Sequence, residues 1–270
     1  MNNSAPDYQG KRIFHISGFG SVEDREENMR ACLAHGFPAM KQIPMHEGRL
    51  SIVCFGPSLK YTWSRIRHPI MTVSGSHDFL ISGGIVPDFH VECDPRKHKT
   101  YFTRNPQPET RYLMASVCHP DMWENMKKAN CEVWHSVESK KTIKWVSEND
   151  PGGLLIGGGS NVGMRSIEVA GMLGYHKFDI YGMDFSFDDQ RHAGFHPNEI
   201  EDEILITLNN RDFRTTRQLY EGAREFIQMA SHFDCEWTLH GDGLLQEMVA
   251  TLKQLRSDNR GNQRRASNLS

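Results

Sequence analysis

The sequence predicts an α/β fold, a Rossmann-like three-layer domain with a mainly parallel open sheet. Short β-type runs alternate with helix-like stretches along the chain, which is the pattern of a parallel sheet covered by helices. Several of these runs are followed at once by Gly, Pro, Ser or Asp, as at the carboxyl edge of such a sheet. The composition, 38% hydrophobic and 24% charged, is typical of a soluble globular protein.

The predicted strands are, in order, 12–17, 51–55, 70–74, 89–92, 112–116, 132–134, 154–156, 177–181 and 235–239. The clearest helix is 162–173, where apolar residues recur at near-helical spacing before Gly174, a residue suited to ending a helix. Two more helices are predicted over 213–233 and 243–255. We expect residues 1–10 to be flexible, 11–255 to form a single domain, and the weakly apolar tail 256–270 to be disordered.

Charge and cysteine usage exclude several classes of protein. The formal net charge of −3 gives no global basic field for nucleic acid or an anionic membrane. No apolar run approaches the ~20 residues that cross a bilayer, and the N-terminus lacks the features of a signal peptide. The six cysteines are scattered without a Cys-x-x-Cys pair, which favours reduced thiols and a cytoplasmic location over a structural zinc site.

Two glycine-containing turns are candidate phosphate sites. The run Gly56-Pro57-Ser58 follows a buried-looking strand and combines a close backbone approach with a hydroxyl; an ordinary strand-ending turn is the alternative. The run Gly157-Gly158-Gly159-Ser160-Asn161 leads into the predicted helix at 162, where amide donors and the helix dipole favour an anion. Ser160 or Asn161 could instead serve only as the helix N-cap.

Polar residues with catalytic potential follow three other predicted strands. Asp94 could meet a ribose or a divalent ion, or belong to an Asp-Pro turn. Asp184 ends a Gly-x-Asp segment that opens a loop holding His192 and His196. A histidine in such a loop suits a general base, since its pKa lies near neutrality; solvated loop histidines are the alternative. His240 is a further candidate ligand contact.

These segments together resemble a known family. The motifs are, in order, Gly56-Pro-Ser-Leu59, Gly84-Ile-Val-Pro-Asp88 through to Asp94, Gly157-Gly-Gly-Ser160, Gly182-Met-Asp-Phe185 and His240-Gly-Asp-Gly-Leu244. They look like the MptE-like family, which is named for an archaeal 6-hydroxymethyl-7,8-dihydropterin diphosphokinase and includes many phage and bacterial proteins. The resemblance extends over residues 51–255. The same elements are similar to bacterial CMP-sialic-acid sialyltransferases, and this likeness implies a catalytic base at His196 and nucleotide phosphates along Gly56, Ser58, Gly158, Ser160 and Asn161.

The expected function is transfer of a group, most plausibly a glycosyl group, from a nucleotide-activated small-molecule donor to an acceptor that the sequence does not identify. One alternative is ATP-dependent diphosphate transfer to a pterin-like alcohol, with Mg²⁺ held by Asp94 or Asp184. Another is a nucleotide-binding module without catalysis. No cofactor other than this Mg²⁺ is expected, and assembly into a homo-oligomer is left open.

Overall fold

The structure is a computed structural model that describes residues 5–6, 12–13, 21–196, 202–230 and 235–267, with side chains described in 21–196, 202–230 and 235–255. The strands are β1 Ala5–Pro6, β2 Arg12–Ile13, β3 Arg49–Val53, β4 Ile70–Val73, β5 Phe89–Glu92, β6 Arg111–Ala115, β7 Asn130–Ser136, β8 Leu155–Ile156, β9 Lys177–Tyr181, β10 Glu203–Leu208, β11 Arg211–Thr216 and β12 Glu236–His240. The helices are α1 Val22–Ala34, α2 Leu59–Thr62, α3 Ser76–Ser82, α4 Pro120–Met126, α5 Lys140–Asn149, α6 Val162–Met172, α7 Arg217–Ala230 and α8 Leu244–Ser267, with 3₁₀ helices at Trp63–Arg65 and Lys97–Thr103.

Eight strands form one open sheet in the order β12-β9-β3-β4-β5-β6-β7-β8. Every neighbouring pair in it is parallel; for example, Ile52 of β3 lies opposite Ile180 of β9 on one side and Met71 of β4 on the other. Helices flank this sheet, and the predicted Rossmann-like three-layer α/β fold with a mainly parallel sheet is therefore confirmed. Two small antiparallel pairs, β1–β2 and β10–β11, lie outside the large sheet.

The core lies on both faces of the sheet. Successive side chains of a strand point to opposite faces, so Ile52 packs in a cluster with α6 whereas Val53 packs in a second cluster with Leu59 of α2 and Leu80 of α3. α6 crosses β3, β4 and β5. Burial on both faces explains why even the polar side chains of these strands, such as Thr72 and His90, are buried and do not face solvent.

Local patterns located most of the sheet. The predicted strands 89–92 and 177–181 coincide with β5 and β9, and the other strands of the large sheet differ by one or two residues at their ends, as boundaries usually do. The strand predicted at 12–17 is different: Arg12–Ile13 pairs with Ala5–Pro6 outside the large sheet, and residues 14–17 lie outside the described residues. The rest of the predicted flexible segment 1–10 lies outside them as well.

The region before α7 is a hairpin that the sequence analysis missed. Residues 213–216, predicted as helix, belong to β11, and α7 begins at Arg217. Asn209 and Asn210 connect β10 to β11 with φ of 50° and 60°. Two positive φ values at the centre of a two-residue turn match the twist of a hairpin, and asparagine tolerates them.

The last helix is longer than predicted. α8 continues to Ser267, which corrects the predicted end at 255 and places helix in the segment expected to be disordered. The extension contains no proline; its arginines, Gln263 and Ala266 favour helix, whereas Gly261 and its Ser, Asp and Asn residues do not. The division of the chain at 11 and 255 stays a prediction. Within the described residues, no helix is long and apolar enough to cross a membrane.

Two glycines at the end of α6, Gly171 and Gly174, should respond in opposite ways to substitution by alanine, and this gives a stability prediction. Gly171 is exposed in α6, and a Cβ there meets nothing within 4 Å, whereas Gly174 has φ +86° and a Cβ there would lie 2.3 Å from the Pro44 carbonyl oxygen. Gly171→Ala should therefore raise the free energy of unfolding by about 0.5–1 kcal/mol. Gly174→Ala should lower it by more than about 1 kcal/mol. Urea unfolding of both variants measures this, and equal effects would contradict it.

Candidate functional site

The sheet changes direction at β3. The chain proceeds from β3 through β8 toward one edge and then returns to place β9 on the other side of β3. In open α/β sheets, ligands bind in the crevice at the carboxyl ends of the strands where the order reverses. The turn after β3, Gly56-Pro57-Ser58, and the turn after β9, Gly182-Met183-Asp184, flank that point. The topology thus brings two of the predicted segments together.

Asp184 joins these two turns. Its Oδ2 accepts the Ser58 amide at 2.8 Å and its Oδ1 accepts the Ser58 hydroxyl at 2.6 Å. The Asp184 backbone carbonyl accepts the amide of Leu245 at the start of α8. The carboxylate is almost completely buried, and burial raises the pKa of Asp184 to about 6 against the opposing effect of the Ser58 hydrogen bonds. Asp184 therefore fixes the relative positions of three turns.

Glycine is required where these turns meet. A Cβ on Gly56 would lie 2.5 Å from Asp184 Oδ2, and one on Gly243 would lie 2.5 Å from Asp184 Cβ. A Cβ on Gly241 would lie 2.4 Å from Ser58 Oγ. Such distances are well inside van der Waals contact, so the backbones approach as closely as they do only because these positions lack side chains.

The amide and hydroxyl donors of the turn after β3 are already hydrogen-bonded within the protein. The Gly56 amide binds the Gly182 carbonyl at 2.8 Å, Pro57 has no amide hydrogen, and both donors of Ser58 bind Asp184. A phosphate at this turn would need other donors. In the structure, Gly56, Pro57 and Ser58 pack against the turn after β9 and are bonded to it. Their predicted contact with a nucleotide stays a prediction.

The two predicted magnesium ligands lie apart and each is already engaged within the protein, and their predicted role in holding Mg²⁺ stays a prediction. Asp94 and Asp184 end strands that are three spacings apart in the sheet, about 14 Å at ordinary strand separation. Asp94 forms a two-pronged ion pair with Arg96, at 2.9 and 2.6 Å. Burial raises the pKa of Asp94, but the Arg96 hydrogen bonds and the charge of Lys99 outweigh it and hold the pKa below its usual value. In the described part of the chain, no group of three His, Cys, Asp or Glu side chains is arranged to hold a metal ion.

The second glycine-rich turn keeps several donors unused. Gly158 and Gly159 have φ of 82° and 69°, and the amides of Gly157, Gly158 and Gly159 have no hydrogen-bond acceptor among the described residues. Asn161 is the N-cap of α6, because its Oδ1 accepts the Met164 amide at 3.0 Å. The capping interpretation thus applies to Asn161, while the three glycines lie just before the cap and their predicted contact with a nucleotide phosphate stays a prediction.

One acceptor of the chain already occupies part of this turn. The Glu225 carboxylate, from α7, accepts the Ser160 amide at 3.1 Å. Burial raises the pKa of Glu225 in opposition to that hydrogen bond and to the charge of Arg165. Arg165 itself reaches back from α6 to the Gly159 carbonyl at 3.0 Å. Ser160 is therefore committed within the protein, and its predicted contact with a nucleotide stays a prediction.

The two loop histidines stack on each other beside β3. The ring centroids of His192 and His196 are 4.3 Å apart, and His192 stacks on Phe55, 5.7 Å between centroids. Burial and the charge of Lys99 lower the pKa of His192 to about 4, so its ring is neutral near pH 7. Its Nε2 is buried without a hydrogen-bond partner among the described residues. The predicted pair therefore lies next to the turn after β3, at the carboxyl edge.

His196 contacts a lysine that the sequence analysis did not single out. Nζ of Lys99, from the 3₁₀ helix Lys97–Thr103, lies 3.2 Å from His196 Nε2, and the Phe102 ring lies 5.2 Å from the His196 ring. Lys99 is only 8% exposed. No motif indicates this residue, because its importance comes from burial and from a partner 97 positions away.

His240 is engaged on the sheet. Its ring stacks on Tyr181 at 4.2 Å and its Nε2 lies 3.0 Å from Asp179 Oδ1. His240 thus lies at the end of β12 beside β9, and both its ring face and its Nε2 contact groups of the protein. Its predicted contact with a ligand stays a prediction.

The fold is that of a Rossmann-like α/β protein, and the turns after β3 and β9 flank the strand-order reversal where proteins of this class bind ligands. The chain belongs to the MptE-like family: the family model for 6-hydroxymethylpterin diphosphokinase MptE-like proteins matches residues 27–190. The predicted family membership is thereby confirmed. No curated protein sequence matches the chain.

A solved structure shares the fold. The MAf glycosyltransferase from Magnetospirillum magneticum AMB-1 is similar at a TM-score of 0.55 and 13% sequence identity, over 89% of this chain and 42% of that one. This chain thus spans less than half the length of that protein. At such an identity the likeness demonstrates a common fold and carries no residue roles.

Proposed function

We propose that this protein transfers a glycosyl group from a nucleotide-activated donor to a hydroxyl acceptor, with His196 as the general base. The family and the fold shared with a glycosyltransferase support a transferase. The observation that carries the proposal is the convergence at the end of β3. Cys54 lies against the start of α6, where a Cβ on Gly163 would be 2.9 Å from its sulphur, and the next residue, Phe55, lies against His192.

On this proposal an anion site and a base would lie on the two sides of one crevice. Consecutive residues of an extended chain point to opposite faces, so the start of α6 approaches the end of β3 from one side and the histidine pair from the other. The unused amides of Gly157, Gly158 and Gly159 would hold the donor phosphate, and they would stabilise the charge that develops on it as it leaves. Their donors are fixed by the turn before the reaction begins.

His196 would take the proton of the acceptor hydroxyl as the new bond forms. Imidazole is suited to this, because its ordinary pKa is near the operating pH. His192 would keep the second ring in place by stacking, since its low pKa leaves it neutral and it contacts both Phe55 and His196. The acceptor proton would then leave on His196, while the leaving nucleotide keeps the electron pair of the broken bond.

The family description supports one rival, ATP-dependent diphosphate transfer to a pterin-like alcohol. That reaction is typically assisted by Mg²⁺ bridging the phosphates. Because Asp94 is paired with Arg96 and Asp184 with Ser58, we derive no step through these carboxylates. The rival differs from glycosyl transfer in its nucleotide and in its need for a divalent ion, and both are measurable.

The test is a thermal-shift survey of the purified protein against CMP, CDP, UDP, GDP, ADP and ATP, each with Mg²⁺ and with EDTA. A ligand at 100-fold over its dissociation constant stabilises by about 2.7 kcal/mol, which shifts the melting temperature by several degrees. Stabilisation by a cytidine or uridine nucleotide in EDTA supports the proposal. Stabilisation by ATP only with Mg²⁺ supports the diphosphokinase instead. Absence of any response contradicts a nucleotide site.

Glu225 gives a sharper prediction about the glycine-rich turn. Its carboxylate accepts a hydrogen bond from the Ser160 amide. A phosphate at Gly157–Gly159 would therefore be repelled by the negative charge of Glu225. Glu225→Gln keeps an acceptor oxygen for Ser160 and removes the charge. We expect the nucleotide found in the survey to bind about 5- to 10-fold more tightly, which corresponds to roughly 1 kcal/mol of relieved repulsion.

The matched control for this measurement is Glu221→Gln on the same helix, an exposed residue that pairs with Arg224. Isothermal titration of both variants and of the wild type gives the dissociation constants. Glu221→Gln should bind as the wild type does. An unchanged affinity in Glu225→Gln would place the phosphate elsewhere than this turn.

A further inference from the structure

Lys99 is a buried cation with incomplete compensation. Its Nζ lies 3.2 Å from Nε2 of His196, where an ammonium group can only donate, and 5.2 Å from the centroid of the Phe102 ring. The closest carboxylate oxygen recorded for it, Asp94 Oδ2, is at 4.0 Å. An ammonium group has three donors, and a buried charge is normally matched by a direct, hydrogen-bonded partner of opposite sign.

The two neighbouring carboxylates do not supply that partner. Asp94 already forms its two-pronged pair with Arg96. Glu92, at the end of β5, is completely buried, and neither of its oxygens has a hydrogen bond of ordinary geometry among the described residues, although Ser74 is near enough to affect it. Burial lowers the pKa of Lys99, and the charges of Glu92 and Asp94 oppose that effect.

A histidine nitrogen close to Lys99 is also unpaired among the described residues. The Nε2 of His192 is buried without a hydrogen-bond partner among the described residues. His192 stacks on His196, which accepts from Lys99. The ring of Phe102 contacts His196 on one side and Phe55 on the other. Lys99 and the two histidines thus form a polar cluster with aromatic walls, immediately beside the turn after β3.

We propose that Lys99 binds an anionic group of the ligand, a phosphate or a sugar carboxylate, and that it holds the Nε2 lone pair of His196 until that anion arrives. A carboxylate or phosphate oxygen is a stronger acceptor for an ammonium than a neutral imidazole. When the anion takes the Lys99 donors, Nε2 of His196 becomes able to accept the acceptor proton. The masking of His196 rests on the proposed function, whereas anion binding by Lys99 does not.

This arrangement would couple the base to occupancy of the donor site. Without the anion, His196 Nε2 accepts from Lys99 and cannot activate water against the donor. With the anion bound, Lys99 moves its hydrogen bond to the ligand, and no proton or charge is gained by the protein. Among the described residues, Arg96, Arg191 and His98 are the other basic groups near the cluster, since their charges interact with Asp94, His192 and Lys99 respectively.

The experiment is titration of the full chain with inorganic pyrophosphate and, separately, with glucuronate. Lys99→Met removes the ammonium and keeps the length of the side chain. Its matched control is Lys97→Met, which makes the same charge change in the same 3₁₀ helix, where the side chain is 78% exposed and lies near Asp121. We expect Lys99→Met to bind the anion at least about tenfold more weakly, and Lys97→Met to bind it within about twofold of the wild type.

The two probes separate the sources of the anion. Binding of pyrophosphate that depends on Lys99 assigns a phosphate, and binding of glucuronate that depends on Lys99 assigns a sugar carboxylate. Equal affinity of Lys99→Met and wild type, or no binding of either probe to the wild type, overturns the proposal. Neither measurement needs turnover, so a chain without transferase activity could still bind its anion through Lys99.

A measurement on the wild type keeps the proposal testable if Lys99→Met does not fold. Histidine ring ¹⁵N resonances report the hydrogen bonds of each nitrogen, and a His196→Gln spectrum assigns the one of interest. Saturating pyrophosphate or glucuronate should move the His196 Nε2 resonance as the Lys99 hydrogen bond is lost. Binding of an anion that leaves this resonance unchanged would contradict a role for Lys99 in holding His196.

Discussion

His196→Ala should lower the rate of group transfer by about 10²–10⁴-fold, the range that a positioned general base contributes. The affinity for the nucleotide should stay close to that of the wild type, because the phosphate donors are assigned to the turn at Gly157–Gly159 and to Lys99. The measurement is release of the free nucleotide from the donor that the ligand survey identifies, at saturating donor and with a hydroxyl acceptor present. Binding is measured on the same preparations by titration.

The control is His68→Ala, at an exposed histidine whose partner Asp88 also accepts the Ile70 amide and so stays satisfied. This variant should keep the wild-type rate. His196→Ala with unchanged turnover would remove the base from the mechanism. If the wild type released no free nucleotide, and His196→Ala left ligand affinity and biological activity unchanged, the chain would be a binding module that keeps the fold without catalysis.

The strands of this fold were readable from the sequence because their signals are local. β5 and β9 are short runs in which apolar residues alternate with polar ones, as in Phe89-His90-Val91-Glu92, and both were predicted with their observed ends. The turn at Asn209 and Asn210 also carried a local signal, two consecutive asparagines between strands. The amphipathic pattern of α7 extends into β11, so the residues from Phe213 to Thr216 match a helical period although they form a strand.

The site required information that no local pattern contains. Asp184 meets Ser58 across 126 positions of sequence, and it does so only because β9 returns to the side of β3. The order of strands in the sheet comes from tertiary packing. The motifs at Gly56, Gly182 and Gly241 were visible separately, but the sequence does not state that their backbones touch.

Burial explains the residues that were missed altogether. Lys99 and Glu225 lie in ordinary-looking polar stretches, and their chemistry comes from being enclosed beside His196 and Ser160. In the opposite sense, Ser58 and His240 looked like ligand contacts because they follow strands, yet the structure supplies each with protein partners. A polar residue at a strand end is therefore a candidate for joining turns as well as for binding.

Asp184→Ala should lower the free energy of unfolding by about 3–5 kcal/mol. The substitution leaves the buried amide and hydroxyl of Ser58 without an acceptor and opens a void between three turns. Urea unfolding followed by circular dichroism measures the loss. Asp188→Ala is the matched control in the same loop, because its partly exposed pair with Lys60 should contribute no more than about 1 kcal/mol.

The ionisation of Asp184 adds a dependence on pH that the alanine variant does not isolate. Burial raises the pKa of Asp184 to about 6 in the folded chain, whereas an unfolded aspartate has a pKa near ~3.9. Between about pH 4 and pH 6 the folded chain holds a proton that the unfolded chain has released. Stability therefore falls as the pH rises through that window, and the full cost of burying the charge is present above it.

Asp184→Asn tests this, because asparagine keeps an acceptor for the Ser58 amide, can donate to the Ser58 hydroxyl oxygen, and does not ionise. A pKa difference of about two units corresponds to ~3 kcal/mol. The stability of Asp184→Asn relative to the wild type should consequently improve by about that amount between pH 4 and pH 7, since every other titrating group is common to both chains. A difference that stays constant over this range would mean that Asp184 ionises in the folded chain as it does in the unfolded one, and the Ser58 hydrogen bonds would then fully offset the cost of burying its charge.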